Sequence, residues 1–293
     1  MDLDPLVALA GLLVGFVVGL TGMGGGALMT PILVVVFGVK PLTAVSSDLA
    51  AAVVMKPVGG GVHLRRGTVH LGLVRWLCLG SVPAAFAGVL VLKSMGEGQV
   101  LQDRVSIALG VALLVAAAAM VVKGMLQRGR GGEVHDIRLR PLPTVLIGVV
   151  GGLVVGMTSV GSGSLMIVLL LAVYPNLVTS QLVGTDLVQA VPLVLSAALG
   201  HALFGDLQLS LTTSLLLGSI PGVYVGARAS SRAPDWVIRP VLVLVLVLSG
   251  LKLFDVSARW LAAVLAVGSV VLGVLAYRRI RATRREAGVP VRR

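Results

Sequence analysis

The sequence has 293 residues, of which 57% are hydrophobic and only 12% are charged, and its formal net charge is +12. A soluble domain carries about 25% charged residues, so this composition excludes the soluble globular class. The basic excess gathers in residues 123–140 and in the seven arginines after residue 277. That distribution is typical of the cytoplasmic loops and tail of a membrane protein, and it does not indicate a nucleic-acid partner.

Apolar segments long enough to cross a bilayer recur along the chain. About 20 apolar residues cross roughly 30 Å of hydrocarbon, and they must be helical because lipid cannot satisfy backbone N–H and C=O groups. We predict helices near 44–62, 71–92, 105–122, 183–203, 211–227, 236–254 and 258–276. Segments 5–37 and 143–174 are too long for one straight span, so we predict that each is a helical hairpin.

The two halves of the chain repeat each other. Residues 15–29 align with 152–166 at an offset of 137, and after one inserted residue the offset is 138, which pairs Asp48 with Asp186. We therefore predict an all-α polytopic membrane protein with two repeats. The parts are a first repeat (1–122), a basic cytoplasmic connection (123–142), a second repeat (143–277) and an arginine-rich cytoplasmic tail (278–293).

The distribution of basic residues predicts that the repeats are inverted in the membrane. Counted back from a cytoplasmic tail, most Lys and Arg residues fall on the cytoplasmic side. Arg65 and Arg66 form a basic turn, whereas the equivalent turn at 204–206 has no Lys or Arg. Inverted repeats are a hallmark of secondary transporters. We expect a bacterial-type inner membrane, an outer N-terminus and a cytoplasmic C-terminus.

Each hairpin has a glycine-rich tip that is a candidate substrate site. Glycine permits tight turns, and the helix after each tip begins with free N–H donors and the positive end of its dipole, which favour an anion. Close helix packing is the alternative role for such glycines. The candidates are Thr21, Gly22, Gly24, Gly25 and Gly26 in the first tip and Thr158, Ser159, Gly161, Ser162, Gly163 and Ser164 in the second.

Polar residues of the helix after each hairpin are candidates for coupling or gating. They are Ser47 and Asp48 in the first repeat and Thr185 and Asp186 in the second. Carboxylates at the membrane edge could take up and release a proton. Alternatively, both aspartates are N-caps where these helices begin.

Lys56 is a further substrate-binding candidate because it lies deep in an apolar segment, where an unpaired charge is costly. The alternative is that its side chain snorkels to the membrane interface. Val194 occupies the equivalent position in the second repeat. We expect His63 and His201, at helix ends, to have interfacial structural roles. Cys78 is the only cysteine, so we expect no thiolate metal cluster and no cofactor.

Several paired motifs resemble the TauE/SafE family of sulfite exporter-like transporters, also called the four-toluene-sulfonate-uptake permease family. They are the glycine-rich hairpins, the Ser/Thr-Asp pairs, His-x-x-x-Gly at 63–67 and 201–205, and Gly-Ser-x-Pro at 80–83 and 218–221. The resemblance covers about residues 6–254. It implies transport of sulfite, organosulfonates or other small organic anions, coupled to the proton gradient.

The sequence thus predicts a secondary transporter, either an exporter or a permease, that moves a small anion by alternating access. The expected partners are that anion and the lipid bilayer, and the oligomeric state stays open. An enzyme is disfavoured because no set of catalytic side chains converges in the sequence. A passive anion channel and a non-transporting structural membrane subunit remain alternatives.

Overall fold

The computed structural model describes residues 4–21, 25–126, 137–177, 179–229 and 235–286. Within these ranges the secondary structure is helical, without strands. The helices are α1 (Pro5–Thr21), α2 (Gly26–Val35), α3 (Pro41–Arg65), α4 (Leu71–Ser94), α5 (Gly98–Leu126), α6 (Pro141–Thr158), α7 (Leu165–Val173), α8 (Thr179–Phe204), α9 (Leu209–Ala229), α10 (Asp235–Leu253) and α11 (Ala258–Glu286). The prediction of an all-α polytopic membrane protein is confirmed.

Six helices in the described part of the chain are long and apolar enough to cross a membrane, namely α3, α4, α5, α6, α8 and α9. Each segment predicted as a hairpin contains two helices, α1 with α2 and α6 with α7. The second arms are short, because α2 has 10 residues and α7 has nine. At 1.5 Å per residue, such an arm covers only about half of the hydrocarbon thickness.

Helix pairs from opposite halves pack closely through glycines. The main pairs are α1 with α9 and α4 with α6, while α3 packs against α8 and α5 against α10. At these glycines an added Cβ would collide with the neighbouring backbone, so the missing side chain permits the close approach. The contacts are equivalent in the two pairs. In α1 and α9, Gly11 contacts Leu215 and Gly15 contacts Ser219; in α6 and α4, Gly148 contacts Leu77 and Gly152 contacts Ser81.

Two starting points of helices differ from the sequence interpretation. α3 begins at Pro41, with Lys40 as its N-cap, and α8 begins at Thr179. Asp48 and Asp186 therefore each lie seven residues inside a helix, and the alternative that they act as N-caps is wrong. The physical reason is that proline, which is favoured in the first helical turn, starts α3 earlier than the Ser/Thr-Asp pattern indicated.

The periphery of the described structure is apolar. α11 packs against α10, and large side chains of α11 such as Trp260 (69% exposed) and Val267 (65% exposed) lie on its outer surface. In a bilayer this surface contacts lipid, so its exposure is consistent with a multi-pass membrane protein. The centre has the opposite character, because it buries polar and charged side chains of α2, α3, α8 and the second hairpin tip.

Candidate functional site

The tip of the second hairpin is a compact turn between α6 and α7. Ser159 has φ 59°, and Gly161 and Gly163 have φ 122° and 96°. Glycine adopts such positive φ angles without strain, which explains its presence at these two positions. Thr158 Oγ1 accepts a hydrogen bond of 3.2 Å from the backbone N–H of Val160. The turn thereby ends α6 and redirects the chain into α7.

The second tip contacts the start of α2, which follows the first tip. A Cβ added to Gly26 would collide with the backbone carbonyl oxygen of Ser159, so the two backbones meet because Gly26 has no side chain. Gly25 is the N-cap of α2. Gly22, Gly24 and the side chain of Thr21 lie outside the described residues. The repeats predict that the two tips meet around one central cavity, with Gly24 near Gly161, and this stays a prediction because Gly24 lies outside the described residues.

Asp48 connects three elements in the centre of the protein. The side chain is 3% exposed, and its Oδ2 accepts hydrogen bonds from Thr30 Oγ1 at 2.9 Å and from Ser159 Oγ at 2.7 Å. Thr30 belongs to α2 and Ser159 to the second tip, so this one carboxylate oxygen joins α2 and α3 to the opposite hairpin. Both partners are hydroxyl groups, which can donate or accept a hydrogen bond.

Lys56 points into the protein and not toward the membrane interface. Its side chain is 8% exposed, and Nζ donates to Ser162 Oγ at 2.5 Å. The ammonium also interacts electrostatically with Asp186 and Asp48. Snorkelling, the alternative considered from the sequence, is therefore wrong. Val194, the equivalent residue of the second repeat, is buried among apolar side chains.

Asp186 has a different set of partners from Asp48. Its carboxylate, 2% exposed, accepts a 3.1 Å hydrogen bond from Gln189 Nε2 and another from the backbone N–H of Gly163. Lys56 and Lys123 both attract it electrostatically. These N–H groups can only donate, so the arrangement suits an ionised carboxylate.

Buried hydroxyl groups complete the polar centre. Ser164 is the N-cap of α7, and within the described ranges its Oγ has no hydrogen-bond partner. The same is true of Ser47 Oγ, whereas the equivalent Thr185 Oγ1 accepts from the backbone N–H of His70 at 3.0 Å. Nearly all buried polar groups in proteins have partners. Ser164 can therefore offer a hydrogen bond at the start of α7.

Some residues of this centre were not among the sequence candidates. Thr30 and Gln189 could have been found as polar residues in otherwise apolar helices, which are often functional. Ser81 is another, because its Oγ donates to Gln189 Oε1 at 3.2 Å. Lys123 was counted with the basic connection because further arginines follow it. In the structure it lies within α5 and is 8% exposed.

The two histidines at repeat-equivalent positions have different environments. His201 is 0% exposed, and its ring nitrogens lie 2.8 Å from Ser46 Oγ and 2.8 Å from the carbonyl oxygen of Gly156. The expectation of an interfacial role for His201 is therefore wrong. His63 is half-buried and bonds to Thr68 Oγ1 in its own turn at 2.9 Å.

Two other features were considered as sites. An apolar groove between α3 and α9 is lined by Met55, Val58, Ile220, Pro221, Val223 and Tyr224. It has almost no polar surface, so it does not suit a charged solute. In the part of the chain that the structure describes, no cluster of three or more His, Cys, Asp or Glu residues is placed to hold a metal ion.

Comparison with known proteins agrees with the architecture. The family model described as "Sulfite exporter TauE/SafE" matches residues 7–253, which span α1 to α10. The chain is 38% identical over 253 residues to "Probable membrane transporter protein YjnA" of Bacillus subtilis (strain 168), covering 84% of this chain and 98% of that protein. It is 23% identical over 249 residues to "Probable membrane transporter protein YdhB" of the same organism, with 85% and 99% coverage. No solved structure matches the chain.

The fold and these matches define a class: a helical, multi-pass membrane transporter and not an enzyme. The chain belongs to the sulfite exporter TauE/SafE family. The resemblance identified from the paired sequence motifs is thereby confirmed.

Proposed function

We propose that the protein is a secondary transporter that moves a small anion across the plasma membrane by alternating access, together with a proton. Sulfite, an organosulfonate or a related organic anion is the proposed substrate. The observation that carries the proposal is the buried ammonium of Lys56, which donates to Ser162 at the tip of the second hairpin. A charge at membrane depth is costly unless it is compensated; Asp186 and Asp48 attract this ammonium, and a bound anion would be a further partner for it.

The proposed anion site combines three kinds of donor. Lys56 supplies a positive charge, Ser162 and Ser164 supply hydroxyl groups, and the start of α7 supplies backbone N–H groups and the positive end of its dipole. Hydrogen bonds to ionised groups are about twice as strong as neutral ones. This combination favours a carboxylate, sulfite or sulfonate over a neutral solute.

Charge balance supports the participation of a proton. Among the described residues, the side chains of the centre that are charged when ionised at neutral pH are two aspartates, Asp48 and Asp186, and two lysines, Lys56 and Lys123, and His201 is buried as well. If all four are ionised, their charges cancel, so a bound monoanion adds one uncompensated negative charge. A proton bound at the same time restores neutrality. Electroneutral movement avoids the cost of carrying net charge through hydrocarbon.

Inverted repeats would supply the alternating access. In this proposal the N-terminus is outside, the C-terminus is cytoplasmic, and the two hairpins enter from opposite sides. Equivalent glycine contacts between α1 and α9 and between α4 and α6 support the repeat relationship. In the same proposal, Thr21, Gly22, Gly24, Gly25 and Gly26 of the first tip also contribute to substrate binding. Ser47, Asp48, Thr185 and Asp186 would couple or gate the movement.

A passive channel fits the described residues less well. An open pore exposes the polar groups that line it to water. Here Asp48, Lys56, Ser162, Ser164 and Asp186 are each at most 8% exposed. Such a closed centre is the expected form of an occluded intermediate in alternating access.

Transport by the purified protein in lipid vesicles tests the proposal. Labelled sulfite, sulfate, taurine, sulfoacetate and lactate are supplied one at a time, with and without a pH gradient. We expect saturable movement of at least one anion, and faster accumulation when the gradient is present. Movement of no anion would contradict the proposed function, and flux that stays linear with concentration would favour a channel.

A further inference from the structure

His201 lies at a junction that anion binding does not explain. It belongs to α8 and bonds to Ser46 of α3 and to the carbonyl group of Gly156 in α6. Its side chain is 0% exposed. A fully buried histidine that connects three helices is either a structural group or a proton-binding group, and its hydrogen-bond geometry distinguishes these roles.

The bond to Gly156 determines the state of one ring nitrogen. α6 ends at Thr158, and the N–H of Val160 bonds to Thr158 Oγ1, so it does not form a helical bond to the carbonyl oxygen of Gly156. His201 Nε2 lies 2.8 Å from that oxygen. A carbonyl oxygen can only accept, so Nε2 carries a hydrogen and donates it.

The second ring nitrogen has a partner that can adapt. Ser46 Oγ lies 2.8 Å from His201 Nδ1 and also 2.8 Å from the carbonyl oxygen of Leu42. The hydroxyl has one hydrogen. If it points to Nδ1, the ring is neutral. If it points to Leu42, Nδ1 must donate to Ser46 Oγ, and the ring is a cation. His201 can therefore gain or lose a proton and keep both hydrogen bonds of its ring, while the bond from Ser46 to the carbonyl oxygen of Leu42 is formed or broken.

The surrounding charges also bear on this proton. The ring lies at the C-terminal end of α6, where the helix dipole favours a cation. α6 and α7 carry no titratable side chain. α3 carries Asp48 two residues after Ser46, and the turn after α8 carries Asp206, which accepts from Thr43 at 2.5 Å. α4 carries Lys93, whose ammonium lies 4.4 Å from the centre of the Phe204 ring at the end of α8. Burial away from water opposes the cation.

We infer that His201 binds the proton that accompanies the anion; this inference rests on the proposed function. Gly156, which His201 contacts, lies three residues before Ser159, the tip residue that binds Asp48. A charge on His201 therefore acts on the end of α6, which leads directly into the second tip and the proposed anion site. Histidine is the side chain whose ordinary charge change falls near neutral pH.

His63 provides a matched control within the same chain. It is the repeat equivalent of His201, but the residue equivalent to Ser46 is Gly184, which has no hydroxyl. His63 is half-buried and bonds within its own turn to Thr68. Thr68 Oγ1 also donates to the carbonyl oxygen of His63 at 3.2 Å, so this hydroxyl can adapt as well. The difference is the position of the bonds: that of the His63 ring stays within its own turn, whereas those of His201 reach α3 and the end of α6.

The first experiment compares two variants in lipid vesicles containing the full chain. The probe is labelled sulfoacetate, with the other four anions in parallel. In His201→Gln, the amide can still donate to Gly156, but it cannot be protonated. We expect accumulation driven by a pH gradient to fall at least about tenfold, while exchange of anion for anion changes less than about threefold. His63→Gln should keep both activities. Gradient-driven accumulation by His201→Gln at the wild-type level would overturn the inference.

The second experiment needs no substrate. Ring ¹⁵N resonances are recorded on the full-length wild-type protein, labelled with ¹⁵N at its four histidines. To assign the signals, the spectrum is recorded again on variants in which His63, His70 or His135 is replaced. We expect His201 to gain a second ring hydrogen between about pH 8 and 5. A single neutral form throughout that range would overturn the inference. If His201 titrates but wild-type vesicles move no anion, the proposed function fails and the proton site stands.

Discussion

Asp48 and Asp186 are equivalent in the sequence repeat, yet they are held by different chemistry. Asp48 accepts from two hydroxyl groups, on Thr30 and Ser159, and is attracted by Lys56, whereas Asp186 accepts from N–H groups and is attracted by both Lys56 and Lys123. Lys56 adds to the difference, because its equivalent is an apolar valine. The comparison teaches that two halves with the same helices can differ in their buried charges: the ammonium of Lys56 lies at the second tip.

The largest expected effect comes from removing the carboxylate that compensates the lysines. Asp186→Asn removes the buried carboxylate that attracts both Lys56 and Lys123, so we expect a loss of about 3–5 kcal/mol in the free energy of unfolding. Asp48→Asn keeps an oxygen that can accept from Thr30 and Ser159 but removes the charge that strengthens these bonds, so it should cost only about 1–3 kcal/mol. Denaturation in mixed micelles, followed by circular dichroism, measures both.

A second substitution sharpens this test. The double variant Asp186→Asn/Lys123→Met no longer has the positive charge of Lys123. It should therefore be more stable than the single variant Asp186→Asn, although less stable than the wild-type protein. If Asp186→Asn and Asp48→Asn prove equally destabilising, the electrostatic difference between the two aspartates is not real.

The next effect concerns anion affinity. Lys56→Met keeps the length and apolar character of the side chain but removes its charge. We expect apparent affinity to fall by about 1.5–3 kcal/mol, which is roughly tenfold or more. Lys56→Arg should retain part of the binding, and Val194→Met, at the equivalent position, should do little. Unchanged affinity in a Lys56→Met protein that inserts normally would contradict the role given to this lysine.

A third prediction tests the framework that the two halves share. Gly15 of α1 and Gly152 of α6 make equivalent contacts with Ser219 and Ser81. Alanine at either position should destabilise the protein by about 1–3 kcal/mol, and by similar amounts, because the added Cβ meets backbone. Gly61→Ala is the control, since nothing lies within 4 Å of its added Cβ. Thermal denaturation in detergent measures the melting temperature of each variant. Clearly unequal decreases for the Gly15 and Gly152 variants would contradict the equivalence of the two helix pairs.

The smallest expected effect is at the start of α7. Ser164→Ala removes one hydroxyl donor from the proposed site, so affinity should fall by about 0.5–1.5 kcal/mol, or roughly two- to tenfold. Ser219→Ala is the matched control. Ser219 Oγ is also buried without a partner among the described residues, but Ser219 belongs to α9 and not to the proposed site. Equal effects of both substitutions on equilibrium binding would argue that Ser164 does not touch the anion.

Most of the fold could be predicted from the sequence because the bilayer leaves few choices. Long apolar segments must be helices, and the paired motifs identified the family correctly. Boundaries were less accurate. α5 extends to Leu126 and includes Lys123, since a charged residue that is compensated inside the protein can prolong a helix beyond the apolar stretch.

The candidate site could be predicted only in part, because side-chain partners depend on packing between distant segments. Lys56 was identified from its depth, and its direction is now established by the bond to Ser162. The partners Thr30 and Gln189 carry no sequence signal stronger than polarity in an apolar helix. His201 was misjudged because its position at a helix end suggested water, whereas α3 and α6 cover it completely.

The most direct test of the central claim is the position of a bound anion. A cryo-electron microscopy map of the protein in lipid nanodiscs, prepared with an anion that it transports, would locate that position. We predict density within hydrogen-bond distance, about 2.7–3.2 Å, of Lys56 Nζ and of the hydroxyl groups at the second tip. Density at the first tip alone, or away from Lys56, would contradict the account.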